Sequence, residues 1–224
     1  EGLPLHLTHI QFHSYGTEGD RHFSSGAPRI HELLNKNPNI SIDVGQVMFG
    51  PATTLTADGA VEYLLHKSSG RRWVNVDIEL ETGCGVVPYT YKEKHAVSAL
   101  QWVVGLELFL LAADPWRMVL STDHPNGGCF WRYPEIIQLL MCSDVRKECL
   151  KKLPAKIKGK ITLPEIDREY TLYEIAIAMS AGPAKALGLA QKGNLSIGSD
   201  AASAEQPSKV SACSAKPAAP SLRR

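Results

Sequence analysis

An acid, an imidazole and an amide lie within a few residues of one another in the stretch Ser121-Thr122-Asp123-His124-Pro125-Asn126-Gly127-Gly128. Asp123 can take a proton and return it, His124 can do the same near neutral pH, and Asn126 offers hydrogen bonds without ionising. Pro125 cannot donate to a sheet ladder, and Asn-Gly-Gly is turn chemistry. The preceding apolar run Arg117-Met118-Val119-Leu120 therefore reads as a buried strand, entered from the turn at Asp114-Pro115, that stops near Thr122. The polar groups are presented where a strand becomes a loop, which in α/β barrels is the catalytic edge. A lone Asp beside glycines also has a plainer use, as the acceptor that caps a turn.

A second polar group stands near the start of the chain. Residues Leu3 to Phe12 read as a strand, with Pro4 at its mouth and Ser14-Tyr15-Gly16 at its end. Period-two spacing puts His9, Gln11 and His13 on the side of Leu5 and Leu7, so one face passes from apolar to polar. An imidazole and a carboxylate are a suitable donor pair for zinc. Zinc lowers the pKa of water, and a neighbouring carboxylate can pass a proton to a leaving amine. Each histidine taken alone also fits as a hydrogen-bonded structural residue. His9 and Asp123 are far apart in the chain, so spacing alone does not join them.

The elements that must carry these residues alternate. Residues Ala27 to Leu34 read as a short helix and Ile40 to Val44 as a strand that Val47-Met48-Phe49 prolongs and Gly50-Pro51 breaks. Asp58 to Lys67 has helical spacing. From Val74 to Leu80, apolar and polar residues alternate, predicting a half-exposed strand that forms an antiparallel hairpin with Val86-Val87, inserted on a loop. His95 to Ala112 carries the broadest helical stripe, and Pro134 opens a further helix through Met141. Residues 151–164, rich in lysine between prolines, read as a solvated linker, with a basic patch as the alternative. Thr171 and Glu174 have capping-box spacing, Gly182-Pro183 restarts that helix and Gly188 ends it. The rhythm is that of a β/α fold with parallel strands.

Composition excludes several classes. The 224 residues are 44% hydrophobic and 21% charged with a net charge of +1, which supports a core and gives no electrostatic case for nucleic acid or an anionic membrane. Five scattered cysteines without CxxC spacing suit a reducing compartment, hence a cytoplasmic location. The apolar run Trp102 to Ala113 contains Glu107 and is short of the ~20 residues a membrane span needs. No secretory leader is visible, and the opening at Glu1, almost inside a strand, is that of a piece of a longer protein.

Thr8-His9-Ile10, Ser121-Thr122-Asp123-His124-Pro125, the string from Gly182 to Leu189 and the string from Lys192 to Ala201 resemble the second half of the amidohydrolase superfamily, whose dihydroorotases and hydantoinases share that layout. The longer strings Leu5 to Gly16, Ile42 to Gly50 and Ser121 to Pro134 are more specific. They resemble the amidohydrolase-type subunit of formylmethanofuran dehydrogenases and its counterpart in the bacterial formyltransferase/hydrolase complex, and the resemblance covers residues 1 to about 200.

The resemblance implies an α/β fold: strands six to eight of an eight-stranded amidohydrolase (β/α) barrel, with a hairpin insertion. It implies residues 1–190 as the C-terminal part of that barrel and 191–200 as a remnant of the return to a small β-sandwich, while 201–224, mostly Ala, Ser, Pro and Lys without an apolar pattern, read from composition as a low-complexity tail expected to be disordered. The complete subunit of such a family holds two zinc ions between histidines, a carboxylated lysine and an aspartate. His9 matches the sixth-strand histidine that ligates metal, and Asp123 the eighth-strand aspartate that ligates metal and serves as the catalytic acid/base. His13 and Asn126 are candidate substrate contacts without a superfamily motif to assign them. The implied activity interconverts formylmethanofuran with formate and methanofuran, beside partner subunits that carry a tungsten or molybdenum pterin and iron–sulfur clusters. The chain departs from the family in lacking the first five strands with their ligands, and in entering the low-complexity tail at Ala202. Two other readings stay open: a non-catalytic remnant or assembly piece, and a hydantoinase-like cyclic amide hydrolase, for which the Gln11-Phe12-His13-Ser14-Tyr15 string would be foreign.

Overall fold

The computed structural model describes residues 3–16, 24–56 and 85–200. Its centre is a parallel sheet of β1 (Leu5–Leu7), β2 (Ile40–Asp43) and β5 (Met118–Val119), in the order β1-β2-β5. Leu5, His6 and Leu7 face Ile40, Ser41 and Ile42, and Ile42 and Asp43 face Met118 and Val119. The strand alternation separates two chemistries. Ile42 and Met118 are buried against the helices, while on the other face His6 Nδ1 meets Ser41 Oγ at 2.9 Å and Ser121 Oγ donates to Asp43.

The first strand is shorter than its sequence predicts. It ends at Leu7, and a 3-10 turn at Ile10–His13 replaces the expected extension to Phe12. Thr8 and His9 form the turn between them, and the left-handed backbone of His9 (φ 52°) breaks the period-two line. The polar face of the sheet is thus His6, Ser41 and Asp43, not the continuation of Leu5 and Leu7.

Helix α2 (Ala96–Leu110) is the body on which everything else rests. It is buried nearly all round from Ser98 to Leu110, as a helix apolar on every side must be. Against it lie α1 (Ala27–Lys36), opened by Pro28, and α3 (Tyr133–Met141), opened by Pro134 as its sequence predicts. Helix α4 (Ser143–Lys151) follows at once after Cys142, an element whose polar composition hid it from a periodicity reading. Its Arg146 is buried and donates to the carbonyls of Leu139 (2.7 Å), Leu140 (3.3 Å) and Arg168 (2.6 Å).

Two further expectations change. Gly50-Pro51 does not break a strand but starts one: β3 (Gly50–Thr56) pairs antiparallel with β4 (Gly85–Tyr91), and Val47 to Phe49 is irregular. Val86 and Val87 are paired with Leu55 and Thr54, while the expected partner Val74 to Leu80 and the helix at Asp58 to Lys67 lie outside the described residues. Residues 151–164 are not a solvated linker. They form 3-10 turns at Ala155–Lys160 and Leu163–Glu165 that bury Leu153, Ile157 and Leu163 in the core.

The capping box holds: Thr171 Oγ1 accepts from Glu174 N, and Glu174 Oε2 accepts from Thr171 N at 2.8 Å, opening α5 (Leu172–Ala176). A π turn at Ile177–Ala181 carries on into α6 (Gly182–Ala186), and Leu120 N donates to Ala178 O within that turn at 2.9 Å, tying it to the end of β5. Gly188 (φ 70°) ends the rod. Residues 191–200 are a string of turns, and 201–224 lie outside the described residues. Among the described residues no helix is long and apolar enough to cross a membrane.

Glu107, inside α2, is buried with its carboxylate accepting from Thr162 N, Leu163 N (2.7 Å) and Ser25 Oγ. Burial raises its pKa, and these hydrogen bonds only partly oppose that. A carboxyl whose folded pKa lies above its unfolded value stabilises most below the unfolded value and loses that contribution as pH rises through the folded one. Glu107→Ala, which strands two buried N–H groups, is expected to cost about 2–5 kcal/mol in denaturant unfolding. Glu107→Gln keeps an acceptor for both amides, and its stability relative to the wild type should rise as pH rises above about 4.5.

Candidate functional site

The C-terminal ends of the three parallel strands each deliver one side chain to the same place. From beyond β1 comes His9, from the end of β2 Asp43, and from the loop after β5 Asp123. The backbone makes room for this by unusual means. His9 (φ 52°) and Asp123 (φ 47°) are the two non-glycine residues with positive φ among the described residues, and both belong to the site. Gly45 (φ 69°) lies against His9: a Cβ there would stand 3.1 Å from His9 Cβ and 3.2 Å from its Cα. Gly127 is closer still, since its Cβ would meet Thr122 O at 2.6 Å and the carbonyls of Gln46 and Gly45 at 3.1 Å.

Two buried glutamines hold the loops under the site to α2. Gln11 Oε1 accepts from Val47 N (3.1 Å), and Gln46 Nε2 donates to Val47 O (2.8 Å) and Trp102 O (3.1 Å). Both side chains fit over Gly105, where any Cβ would collide with their amide oxygens. The loop after β5 is stitched to the loop after β2 through Gln46 N to Ser121 O (2.7 Å) and Met48 N to Gly127 O (2.8 Å).

Within this frame the His9 imidazole stands between two carboxylates. Its Nδ1 is 3.3 Å from Asp123 Oδ1 and its Nε2 is 3.6 Å from Asp43 Oδ2. The three side chains are 33%, 23% and 13% exposed respectively for His9, Asp123 and Asp43, so the group is open to a ligand yet walled. Asn126 Nδ2 donates to Asp123 Oδ2 at 2.7 Å, and Asp43 Oδ1 accepts from Gly45 N at 3.0 Å and from Ser121 Oγ. Asp43 is the residue that sequence reasoning missed. Its signal was a single carboxylate at the mouth of an otherwise apolar strand, Ile40-Ser41-Ile42-Asp43-Val44.

The structure therefore brings His9, Asp123 and Asn126 together and sorts the other candidates away. His13 occupies the exposed end of the 3-10 turn Ile10–His13, so the expected grouping of His9 with His13 on one strand face does not form. His124, although next to Asp123 in sequence, turns to pack edge-on against Phe130 with ring centroids 5.2 Å apart. The acid and the imidazole that meet are thus Asp123 and His9, not Asp123 and His124.

As a metal centre the donor set fits in kind: one imidazole and one carboxylate converge, the mixture a borderline ion such as zinc accepts. In number it falls short, because among the described residues no three His, Cys, Asp or Glu side chains are grouped as a metal requires.

Against known proteins, the sequence matches the amidohydrolase family over residues 1–202. The chain belongs to the amidohydrolase family. Among curated amidohydrolase-family relatives, the protein FwdA of Methanocaldococcus jannaschii is 47% identical over 196 residues, covering 87% of this chain and 34% of that protein. The A subunit of the formyltransferase/hydrolase complex Fhc of Methylorubrum extorquens is 42% identical over 212 residues, covering 90% of this chain and 38% of the relative. The crystal structure of the formyltransferase/hydrolase complex FhcABCD of Methylorubrum extorquens, solved with methylofuran, superposes with a TM-score of 0.74 at 41% identity over 88% of this chain and 36% of that one. The chain spans about a third of the length of the relatives it matches.

The tight seat of Gly127 gives a direct test of the loop that carries Asp123. Gly127→Ala must push backbone away from Thr122 O and is expected to destabilise by about 1–3 kcal/mol in equilibrium unfolding. Gly159→Ala, where no heavy atom lies within 4 Å of the added Cβ, should stay within about 0.5 kcal/mol of the wild type.

Proposed function

We propose that this chain is the C-terminal part of a zinc-dependent N-formyl amide hydrolase barrel, contributing strands six to eight, in a protein that interconverts formylmethanofuran with formate and methanofuran. The observation that carries the reading is the meeting of His9 and Asp123 at 3.3 Å, from the C-terminal ends of different strands of a parallel sheet, both on strained backbone. The names of the two relatives, and the methylofuran in the solved complex, supply the substrate class. On the same ground the natural setting of the chain is a multi-subunit complex, with pterin and iron–sulfur chemistry, where present, confined to partner subunits. Cys129, Cys142 and Cys149 are not joined in disulfides, which suits a reducing compartment such as the cytoplasm.

His9 and Asp123 would hold zinc together with ligands from the rest of the full-length subunit. When bound, zinc supplies Lewis acidity at the formyl oxygen and lowers the pKa of water beside it. The chain's own residues do the rest. Asn126 orients Asp123 through Oδ2, leaving Oδ1 on the His9 side. Asp123 takes a proton from the attacking water and delivers it to the departing nitrogen as the formyl C–N bond breaks, leaving formate and the free amine. In the reverse direction the same carboxylate takes the proton from the attacking amine. Asn126, and His13 from the exposed end of the 3-10 turn that follows His9, are the residues proposed to face the bound substrate.

The test uses the full-length subunit in its complex. Asp123→Asn keeps the shape and one oxygen donor but carries no proton at neutral pH, and should lower turnover by roughly 10² to 10⁴ with a smaller loss of zinc. His9→Ala should show the reverse emphasis, zinc content falling first and activity with it. Zinc stoichiometry and the release of formate from a formylated furan amine read the two effects separately. Near-normal turnover of Asp123→Asn with full zinc would reduce Asp123 to a turn cap.

A further inference from the structure

A strand edge carries main-chain groups that need partners, and the outer edge of β3 finds them in the loop that holds Asp123. β3 pairs with β4 on one side, with Pro51 opposite Thr90 and Thr53 opposite Pro88. In an antiparallel pair every second residue turns its N–H and C=O away from the neighbouring strand, and Pro88 has no N–H to exchange with Thr53. Thr53 and Pro51 are the residues turned outward. Thr53 N donates to Pro125 O at 3.1 Å, Cys129 Sγ stands 4.0 Å from Pro51 O, and Arg132 donates to the carbonyl of Phe49 just before the strand. Residue numbers rise along β3 as they fall along the loop, so the loop lies antiparallel on the strand edge. The β3–β4 pair is itself anchored, because its Ala52 and Tyr91 are buried in one cluster with Val47.

We infer that the edge of β3 is a positioning element for Asp123, holding its loop at the Thr53 N–H and the Phe49 carbonyl. The inference rests on the proton-carrying role proposed for Asp123. One peptide plane links Thr53 to that carboxylate. Pro125 O and Asn126 N belong to the same planar group. Thr53 N binds its oxygen, and Asp123 O accepts from its N–H at 2.5 Å. The plane sets where Asn126 stands, and Asn126 Nδ2 donates to Asp123 Oδ2 at 2.7 Å. Remove the Thr53 bond and the plane is held from one side only, beside an aspartate whose backbone (φ 47°) does not favour its own conformation.

A carboxylate that must reach first a water proton and then a departing nitrogen is sensitive to placement, and a displacement of about 1 Å can cost on the order of 100-fold in rate. That demand is made in the transition state, so its loss lowers kcat and leaves KM little changed. A merely structural use of the β3 edge would instead show as a loss that does not depend on whether residue 123 can carry a proton.

The experiment is steady-state release of formate from a formylated furan amine by the full-length subunit in its complex. It compares the wild type, Thr53→Pro, Thr53→Ala, Asp123→Asn and the double variant with both Thr53→Pro and Asp123→Asn. Proline at position 53 deletes only the N–H that faces Pro125, at an outward position of the kind Pro51 already occupies. Thr53→Pro is expected to lower kcat about 10- to 100-fold at an unchanged KM, and Thr53→Ala, which keeps the N–H, to turn over like the wild type. In the double variant the proline should add nothing to the loss from Asp123→Asn, because the group it positions no longer carries a proton. Wild-type kcat in Thr53→Pro overturns the inference, as does an equal loss in Thr53→Ala or the same factor of loss in both backgrounds. Should Thr53→Pro fail to assemble, Arg132→Ala, which cuts the other holding point, is put through the same cycle with the same outcomes deciding. Normal turnover of Asp123→Asn would sink the acid–base reading and the inference with it, whereas a slow Asp123→Asn beside a normal Thr53→Pro sinks the inference alone.

Discussion

The parallel ladder is too short to hold itself. β1, β2 and β5 contribute three, four and two residues, and strands of that length fix neither register nor orientation by backbone bonds alone. What fixes them is the saturation of buried backbone groups by a few long polar side chains. Arg117, at the entry to β5, donates to Ile40 O (2.7 Å), Leu34 O (2.6 Å) and Asn37 O (2.8 Å), so one guanidinium joins the end of α1, the start of β2 and the start of β5. At the opposite end Gln46 binds the loop after β2 to α2 through Trp102 O, and Gln11 accepts from Val47 N in that loop. Each such bond contributes little net, but a buried carbonyl or amide left without it would cost about 1–3 kcal/mol. The strand ends, and with them the site, are held from both sides by polar groups that have nowhere else to go.

The same principle explains how the far end of α2 is packed. Arg146 gathers carbonyls from the end of α3 and from the segment that follows the 3-10 turns, and Arg168 donates to Leu110 O (3.2 Å) and Ala112 O at the end of α2 while lying over Tyr170 and pairing with Glu174. A helix leaves its last carbonyls without partners inside the helix. Here Arg168, together with the Tyr170 hydroxyl that donates to Phe109 O at 2.8 Å, supplies them, which is why α2 can end inside the protein rather than at the surface.

This pattern also decides how much of the molecule is legible in its sequence. Elements defined by apolar period or by local capping are plain: α2 from its stripe, α3 from Pro134, α5 from Thr171 and Glu174. The polar staples are not, because Gln11, Gln46, Glu107 and Arg146 read as exposed in any residue-by-residue scale and reveal their use only when a distant backbone group is placed beside them. The length of β1 is misjudged for a related reason. Nothing in Thr8-His9-Ile10 announces that a histidine will adopt a left-handed backbone, which costs energy locally and is sustained by its surroundings. At the site, His9 and Asp123 are legible through the resemblance to a known family, and Asp43 is not, since a strand reading absorbs one carboxylate among apolar neighbours.

Strain and the candidate site meet at the same two residues. A left-handed histidine costs of order 1–3 kcal/mol, and a chain free to relax would extend β1 through His9 along the period-two line. That relaxed arrangement would point the imidazole with Leu5 and Leu7 into the packed side of the sheet, away from Asp43 and Asp123. The turn instead lifts it to the polar face, where the two carboxylates are already held, one by Gly45 and Ser121, the other by Asn126. The glycine at position 45 eases the lift, because a Cβ there would crowd the His9 Cβ at 3.1 Å. The geometry of the site is therefore a consequence of backbone that is unfavourable by itself, stabilised by the hydrogen-bonded polar frame around it, and not of side chains placed on an otherwise regular strand.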